Sequence, residues 1–141
     1  MLVISDLSPD EIPAAIAIWK EAGLLRPWND PHADAALALR SANATILGAR
    51  ECDKLVATVM VGHDGHRGWL YYLAVARGFR RQGVGTMLMR SAEQWCRKPG
   101  VPKLQLMLRS ENVEMAGFYA ALGYDKSDVI VLAKWLNQKP D

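Results

Sequence analysis

The chain alternates between short apolar runs and amphipathic stretches, a pattern that predicts a protein built from both strands and helices. Apolar runs bounded by turn residues predict six or seven strands, at 2–6, 45–51, 54–63, 69–75, 103–108, 124–126 and 129–135. The run at 69–75 is apolar or aromatic throughout, as expected of a strand that is buried on both faces. The dipeptide Cys52-Asp53 separates two of these runs and predicts a hairpin turn.

Four amphipathic stretches predict the helices of the fold. The first begins with a capping box of Ser8 and Glu11 around Pro9, and Gly23 ends it. The others are predicted at 31–42, 84–97 and 112–122. Strands and helices therefore share the chain, and we expect an α/β or α+β fold that forms a single domain over residues 1–141.

Composition narrows the classes of function. A net charge of +2 gives no case for a nucleic-acid or membrane-surface partner. The chain has neither an N-terminal signal core nor an apolar run near the ~20 residues that a membrane span needs. Its two cysteines, Cys52 and Cys96, form neither a disulfide framework nor a metal-ligand spacing. We therefore expect a cytoplasmic protein with no metal site.

The turn after the strand at 69–75 has the chemistry of an anion site. Gly83 and Gly85 let a ligand approach the backbone at the start of the next helix, whose N–H groups have no partners within the helix. Arg80 and Arg81 add positive charge beside them, which favours phosphate or pyrophosphate. A solvated basic turn, in which the glycines only satisfy geometry, is an equally open interpretation at this point.

The residues of this turn resemble a known family. Leu73, Val75, Phe79, Arg80, Gly83 and Gly85 match the acyl-CoA-binding signature of the GNAT superfamily of N-acetyltransferases. A second match downstream comprises Asn112, Ala116, Phe118-Tyr119 and Leu122-Gly123-Tyr124. The segments 26–30 and 62–68 also look like a small bacterial branch of YpeA-type acetyltransferases.

The resemblance implies a fold and a reaction. The fold is a central mixed, mostly antiparallel sheet of 6–7 strands with about four flanking helices, in which strands four and five are parallel and splay apart. The reaction is transfer of an acetyl group from acetyl-CoA to an amine by direct attack in a ternary complex. A dinucleotide-binding unit is a poorer match, because Leu88 stands where that fingerprint needs a small residue.

The resemblance also implies roles for individual residues. A backbone N–H near Val75 stabilises the developing oxyanion, and Tyr119 donates a proton to the CoA thiolate; the alternative for Tyr119 is a packed aromatic residue. The implied contacts to acetyl-CoA are Leu73, Ala74, Val75, Arg80, Arg81, Gln82, Gly83, Val84, Gly85, Thr86, Asn112 and Tyr119.

The base that deprotonates the amine is not identified by the sequence. Many family members carry a strand carboxylate where this chain has Tyr71 and Tyr72, and a phenol with a pKa of about 10 is a poor base at neutral pH. Water can act as the base, or a residue from another segment of the chain can. The candidate residues are Asp30, His63, Asp64 and His66. An acceptor with a lower pKa, such as an α-amino group, also relaxes the requirement.

The acceptor side of the site is predicted with less detail. Candidate contacts are Arg26, Trp28, Asn29, Asp30, His66, Arg67 and Tyr72. Simple structural alternatives are a helix cap for Asn29 or Asp30 and a charged surface hairpin for 63–67. The arginines suit a carboxylate or phosphate on a small metabolite, and a peptide or protein N-terminus is the main rival. We expect a monomer or homodimer, and a catalytically silent acyl-CoA sensor or interaction module is the alternative to an enzyme.

Overall fold

The computed structural model describes residues 1–137, and its backbone divides into two compact units that meet in sequence between Leu106 and Met107. The first unit holds the sheet and three of the four α-helices, and the second holds the last α-helix. None of the helices within residues 1–137 combines the length and apolar character needed to cross a membrane.

One five-stranded sheet forms the centre of the first unit. Its strands lie in chain order, with β1–β4 antiparallel and β5 parallel to β4. Their bounds are Leu2–Asp6 (β1), Ala44–Glu51 (β2), Lys54–His63 (β3), Gly68–Val75 (β4) and Leu104–Leu106 (β5). Cys52 and Asp53 both adopt positive φ in the turn between β2 and β3, which is the tight hairpin that the sequence predicts.

The helices also follow the predicted stretches. The α-helices are Ile12–Glu21 (α1), Pro31–Arg40 (α2), Val84–Arg97 (α3) and Val113–Ala121 (α4), and short 3₁₀ turns occupy Pro9–Glu11 and Arg77–Phe79. The first turn is 3₁₀ because Ser8 and Glu11 form their capping box around Pro9 before the α-helix begins.

The expected sheet of 6–7 strands is wrong, because residues 1–137 form a sheet of five. Within residues 107–137 the structure shows no strand at 124–126 or 129–135. The segment 129–133 is apolar at consecutive positions, but Val129, Ile130 and Leu132 expose 75–86% of their surface. An apolar run forms a strand only where a partner edge accepts the backbone hydrogen bonds. The fifth strand is likewise shorter than the predicted 103–108.

Helices cover both faces of the sheet. On one face α1 and α2 enclose a cluster of buried side chains that includes Trp19, Ile46, Leu55 and Ala74. On the other face α3 contributes the buried side chains Val84, Leu88, Met89, Ala92 and Cys96. The sheet is therefore buried on both sides, which explains why the central strands are apolar at consecutive positions.

An ion pair joins the start of the first helical segment to the sheet. Arg50 on β2 donates from Nε to Oε2 of Glu11 at 2.7 Å and from Nη2 to Oε1 at 2.6 Å. The backbone N–H of Ser8 also donates to Glu11, at 3.0 Å. The Arg50 guanidinium, helped by this N–H, lowers the pKa of Glu11 to about 2 from an ordinary value of 4.5.

We expect Glu11→Gln to lower the free energy of unfolding by about 2 kcal/mol at pH 7, because the pair is bidentate and mostly shielded. A carboxylate with a depressed pKa stabilises the fold above its unfolded pKa and loses this effect as the pH falls through the folded pKa. Urea unfolding should therefore show the difference shrinking between pH 4.5 and pH 2. The control is Glu51→Gln, which removes an exposed ion pair with the N-terminus and should change stability by about 0.5 kcal/mol or less. Equal effects of the two substitutions would contradict the assignment.

Candidate active site

The strands β4 and β5 pair over only part of their length. Their register joins Gly68–Leu70 to Leu104–Leu106, and in the described part of the first unit no residue of β5 pairs with Tyr71–Val75. The parallel ladder therefore ends midway along β4. Beyond that point the β4 edge presents backbone N–H and C=O groups to which an extended ligand can add.

The backbone N–H and C=O of Val75 point out from this open edge of β4. Ala76 donates its N–H to Val56 of β3 at 2.8 Å, and successive residues of a strand direct their polar groups to opposite sides. The N–H and C=O of Val75 therefore face away from β3. The Arg80 side chain confirms this direction, because its Nε donates to the Val75 carbonyl at 2.9 Å.

A β-bulge in β4 re-orients Tyr72. The β3–β4 register shifts between Thr58 and Met60, and Tyr72 sits there with φ of +53°. Gly68 faces α3, so regular alternation would turn Tyr72 toward α3 as well. Instead its ring stacks on Trp19 of α1, with centroids 4.0 Å apart and planes 17° from parallel. A positive φ at such a residue costs about 1 kcal/mol or more and persists where its surroundings hold it.

A buried hydrogen-bonded chain holds the bulge. Trp19 Nε1 donates to the hydroxyl of Thr58 at 2.8 Å, and that hydroxyl donates to the backbone carbonyl of Tyr72 at 3.0 Å. Trp19 and Thr58 are both fully buried. All three polar groups are therefore satisfied without water, at the position where β4 leaves its regular register.

The Tyr72 hydroxyl joins β4 to α2. It donates to Oδ2 of Asp34 at 2.8 Å. Burial and the Asp34 carboxylate raise the pKa of Tyr72 far above its usual range, so its hydroxyl stays protonated and acts as a donor. Trp19, Asp34 and Thr58 were not predicted as site residues from the sequence. The one signal in the sequence was a threonine in the middle of an apolar strand.

The loop after β4 ends at an open helix N-terminus. Gly83 is the N-cap of α3 with φ of +79°, and no side chain caps the helix. A Cβ built on Gly83 or Gly78 meets no atom within 4 Å. Arg81 adopts φ of +65° in the same loop. The first N–H groups of the helix therefore combine with the basic side chains to form a place that fits a phosphate group.

Other predicted cofactor contacts occupy the same region of the first unit. Leu73 and Ala74 lie between the bulge and Val75, and Thr86 lies half-buried in the first turn of α3. Gln82 donates to the Gly78 carbonyl at 3.3 Å. The backbone N–H of Arg77 donates to Glu21 of α1 at 2.7 Å, and Arg80 lies 4.0 Å from the same carboxylate. The end of α1 therefore fixes one side of the loop.

The predicted acceptor residues between α1 and α2 have local structural roles. Arg26 donates from Nη1 to the carbonyls of Gly23 and Leu25 at 2.8 and 3.0 Å, which caps the end of α1. Asp30 is the N-cap of α2 and accepts from the Ala33 N–H at 3.1 Å. Asn29 is exposed and Trp28 is half-buried. Their contacts to an acceptor stay a prediction.

The β3–β4 turn is organised by its own polar side chains. Asp64 Oδ1 accepts from the backbone N–H groups of His66 and Arg67 at 2.9 and 2.8 Å, and these bonds lower the pKa of Asp64. His63 Nδ1 accepts from the Gly65 N–H at 3.1 Å. Asp64 therefore holds the turn through two backbone groups, and its role as the base stays a prediction.

The second unit carries the remaining predicted residues. Asn112 is the N-cap of α4, and its side chain accepts from the Met115 N–H at 3.3 Å. Tyr119 is buried, with Phe118 and Tyr124 packed edge-on against its ring at 5.2 and 5.9 Å between centroids. Burial raises the pKa of Tyr119 to about 12. Its hydroxyl is therefore protonated at neutral pH, as a proton donor must be.

The chain resembles known acetyltransferases in sequence and in fold. Residues 11–124 match the acetyltransferase (GNAT) family. Acetyltransferase ECA0875 of Pectobacterium atrosepticum is 39% identical over 127 residues, which is 90% of each chain. Two solved structures share the fold. The aminoglycoside N-acetyltransferase AAC(6')-Iy in complex with CoA has a TM-score of 0.82 at 14% identity and covers 97% of this chain and 96% of its own. The ribosomal-protein-S18-alanine N-acetyltransferase of Escherichia coli has a TM-score of 0.79 at 24% identity. The match covers 90% of this chain and 79% of the E. coli enzyme.

We expect Thr58→Val to destabilise the fold by about 2 kcal/mol, because the Trp19 N–H and the Tyr72 carbonyl lose a shared partner. The matched control is Thr58→Ser, which keeps both hydrogen bonds and loses one methyl group, at a cost of about 1 kcal/mol. Urea unfolding measures the stabilities, and amide hydrogen exchange at Ala76, whose N–H donates to Val56, should be accelerated only in the valine variant. A valine variant as stable and as protected as the serine variant would show that the chain does not hold the bulge.

Proposed function

The chain belongs to the acetyltransferase (GNAT) family, and we propose that it transfers an acetyl group from acetyl-CoA to a primary amine by direct attack in a ternary complex. It is an acyltransferase, and acetyl-CoA is its acetyl donor. One observation carries the proposal for this site. The open edge of β4 leads directly, through the basic loop, to the uncapped N-terminus of α3.

The residues present fit the two ends of acetyl-CoA, which supplies an acetyl thioester already activated for attack. We assign the backbone of Leu73–Val75 to the amide-bearing pantetheine arm, because an amide chain can add to an unpaired strand edge. We assign the loop Arg80–Gly85, with Thr86 of the first helical turn, to the pyrophosphate. The space above Gly83 allows phosphate oxygens to reach the helix N–H groups. We assign Asn112 to the same ligand on the family pattern alone.

The chain's own groups meet the two charge requirements of acyl transfer. Negative charge develops on the carbonyl oxygen as the amine attacks, and the Val75 N–H in the strand gap is placed to donate to it. The leaving sulfur needs a proton or a hydrogen-bond donor, and we assign this role to Tyr119. A lysine-like amine must first lose a proton, which costs about 4 kcal/mol at neutral pH.

The acceptor is proposed only as a class. The structural relatives are named for an aminoglycoside and for the alanine of a ribosomal protein, and both names denote amines. We propose that the acceptor is a small amine or a peptide N-terminus. We also propose that the enzyme is a cytoplasmic, single-domain protein that is a monomer or a homodimer. The positions Trp28, His66 and Arg67 remain the proposed contacts for the rest of the acceptor.

The deciding experiment measures CoA release across a panel of amines. The panel comprises the amino acids, glucosamine, phosphoethanolamine, spermidine and an alanyl tripeptide, with calorimetric titration of acetyl-CoA and CoA on the same sample. We expect binding and acceptor-dependent thiol release, and we expect Tyr119→Phe to lower kcat more than acetyl-CoA affinity. Binding without release from any amine would favour the sensor, and an absence of binding would contradict the proposed function.

We expect Thr86→Glu to weaken acetyl-CoA binding at least tenfold while leaving the fold as stable or more stable. A glutamate in the first turn interacts favourably with the helix N-terminus, yet its charge repels pyrophosphate by more than the ~1.4 kcal/mol that corresponds to tenfold. Calorimetry and thermal unfolding measure the two effects, which have opposite signs.

The matched control for this site is Thr86→Gln, which has the same size without the charge. It should change acetyl-CoA affinity by less than about threefold, since only neutral hydrogen bonds differ. If the glutamate variant binds acetyl-CoA as tightly as the glutamine variant, the pyrophosphate does not lie at the N-terminus of α3.

A further inference from the structure

We propose that Asp34 is the carboxylate that binds the acceptor amine as its ammonium ion and takes its proton, and that Tyr72 is the residue that positions Asp34. This inference rests on the proposed function and identifies the acceptor side of the same site. The observation that carries it is the 2.8 Å hydrogen bond from the Tyr72 hydroxyl to Oδ2 of Asp34. It places a carboxylate of α2 against the bulge of β4, a strand that carries no carboxylate of its own.

The charge of this pair resides on Asp34. The Tyr72 phenol donates the hydrogen bond and keeps its proton, so the acceptor oxygen belongs to the carboxylate. Asp34 lies in the first turn of α2. Among residues 1–137, no lysine, arginine or histidine forms an ion pair with it. A half-buried carboxylate in this position suits an external cation, and an ammonium group is both a cation and a donor.

The other carboxylates near the predicted site are already engaged. Asp30 caps α2, Asp64 holds the turn between β3 and β4 through two backbone N–H groups, and Glu21 accepts from the N–H of Arg77. Each stabilises backbone structure by accepting from backbone N–H groups. Asp34 differs because its hydrogen bond comes from a side chain that is itself fixed.

Tyr72 is fixed at three points. Its ring stacks on Trp19, its carbonyl accepts from Thr58, and its hydroxyl donates to Asp34. A carboxylate held this way keeps one direction relative to β4. Tyr72 precedes Val75 by three residues, about 10 Å or less at ~3.3 Å per residue. The carboxylate is therefore fixed to the strand that carries Val75, three residues before it, and we place the bound amine between Asp34 and that end of β4.

The proposed reaction is a proton transfer followed by an acyl transfer. The ammonium N–H bond breaks, and the proton passes to Asp34 directly or through one water. The freed lone pair forms the C–N bond with the thioester carbonyl carbon while the C–S bond breaks. The second N–H bond of the attacking nitrogen then breaks, and its proton passes through water to the departing sulfur, so the products are the neutral amide and the CoA thiol. Asp34 returns its proton to solvent when the acetylated product departs.

The first test compares Asp34→Asn with the wild-type protein on every amine that the panel shows to be acetylated. Asparagine keeps the shape and the acceptor oxygen for Tyr72 but cannot take the proton. We expect kcat/KM for the amine to fall at least ~100-fold, in the range for a lost general base, while the acetyl-CoA Kd changes less than twofold. The control is Asp10→Asn, which removes an exposed carboxylate in the 3₁₀ turn before α1 and should leave both constants unchanged.

The second test separates positioning from general stability. Tyr72→Phe keeps the ring that stacks on Trp19 and removes only the hydroxyl. We expect it to lower kcat/KM about tenfold in the wild-type background, as a misplaced base does, and to have no further effect in the Asp34→Asn background. Equal effects of Tyr72→Phe in both backgrounds would show that Tyr72 does not act through Asp34.

The third test needs neither turnover nor acetyl-CoA. Calorimetric titration compares the best amine of the panel with its N-acetylated product, which has the same skeleton without the charge. We expect the wild-type protein to bind the amine at least fivefold more tightly, and Asp34→Asn to bind both alike. The proposal is overturned if the asparagine variant keeps this preference or keeps kcat/KM within threefold of wild type. If the wild-type protein acetylates no amine of the panel, the proposed function is contradicted. The wild-type measurements alone show that outcome, so it is distinguished from a failure of the role proposed for Asp34.

Discussion

The hydroxyl of Thr58 is the constraint on which the candidate site depends. It accepts from Trp19 and donates to the Tyr72 carbonyl, so one side chain connects α1, β3 and β4 through a dry hydrogen-bonded chain. This chain stabilises a bulge that places Tyr72 at positive φ and turns its ring toward α1 and α2. The residues that follow the bulge are the ones that present unpaired backbone to the gap beside β5. A buried polar group in an otherwise apolar strand therefore determines the geometry of the ligand edge.

Local patterns in the sequence predict local structure well, and the reasons are visible in individual elements. The bounds of β3 and α3 agree with their predicted ranges, because a run of apolar residues between turn signals and an amphipathic stretch after glycine leave few alternatives. The segment 129–135 shows the limit of this reasoning. It is an apolar run of strand length, yet strand formation depends on a neighbouring edge, which no short pattern encodes.

The same distinction separates the parts of the site that were predicted from those that were missed. The basic loop before α3 is contiguous in sequence, so its residues and spacing identify it directly. Trp19, Asp34, Thr58 and Tyr72 come from four different elements, and only the folded chain brings them together. A bulge reverses the face of the residues around it, so alternation along β4 could not predict that Tyr72 faces α2.

The paired end of β4 and β5, where the chain enters the fork, is tightly packed. Gly68 donates its N–H to the Lys103 carbonyl at 2.8 Å, and a Cβ at this position would lie 2.7 Å from Sγ of Cys96 and 3.2 Å from Cδ1 of Leu104. Core packing behind the sheet therefore holds the two strands together at their paired end, and a side chain at this position would require Cys96 and Leu104 to shift. Variation in the width of the gap, whether by divergence or by engineering, is confined to the opposite end, beyond Leu70 and Leu106.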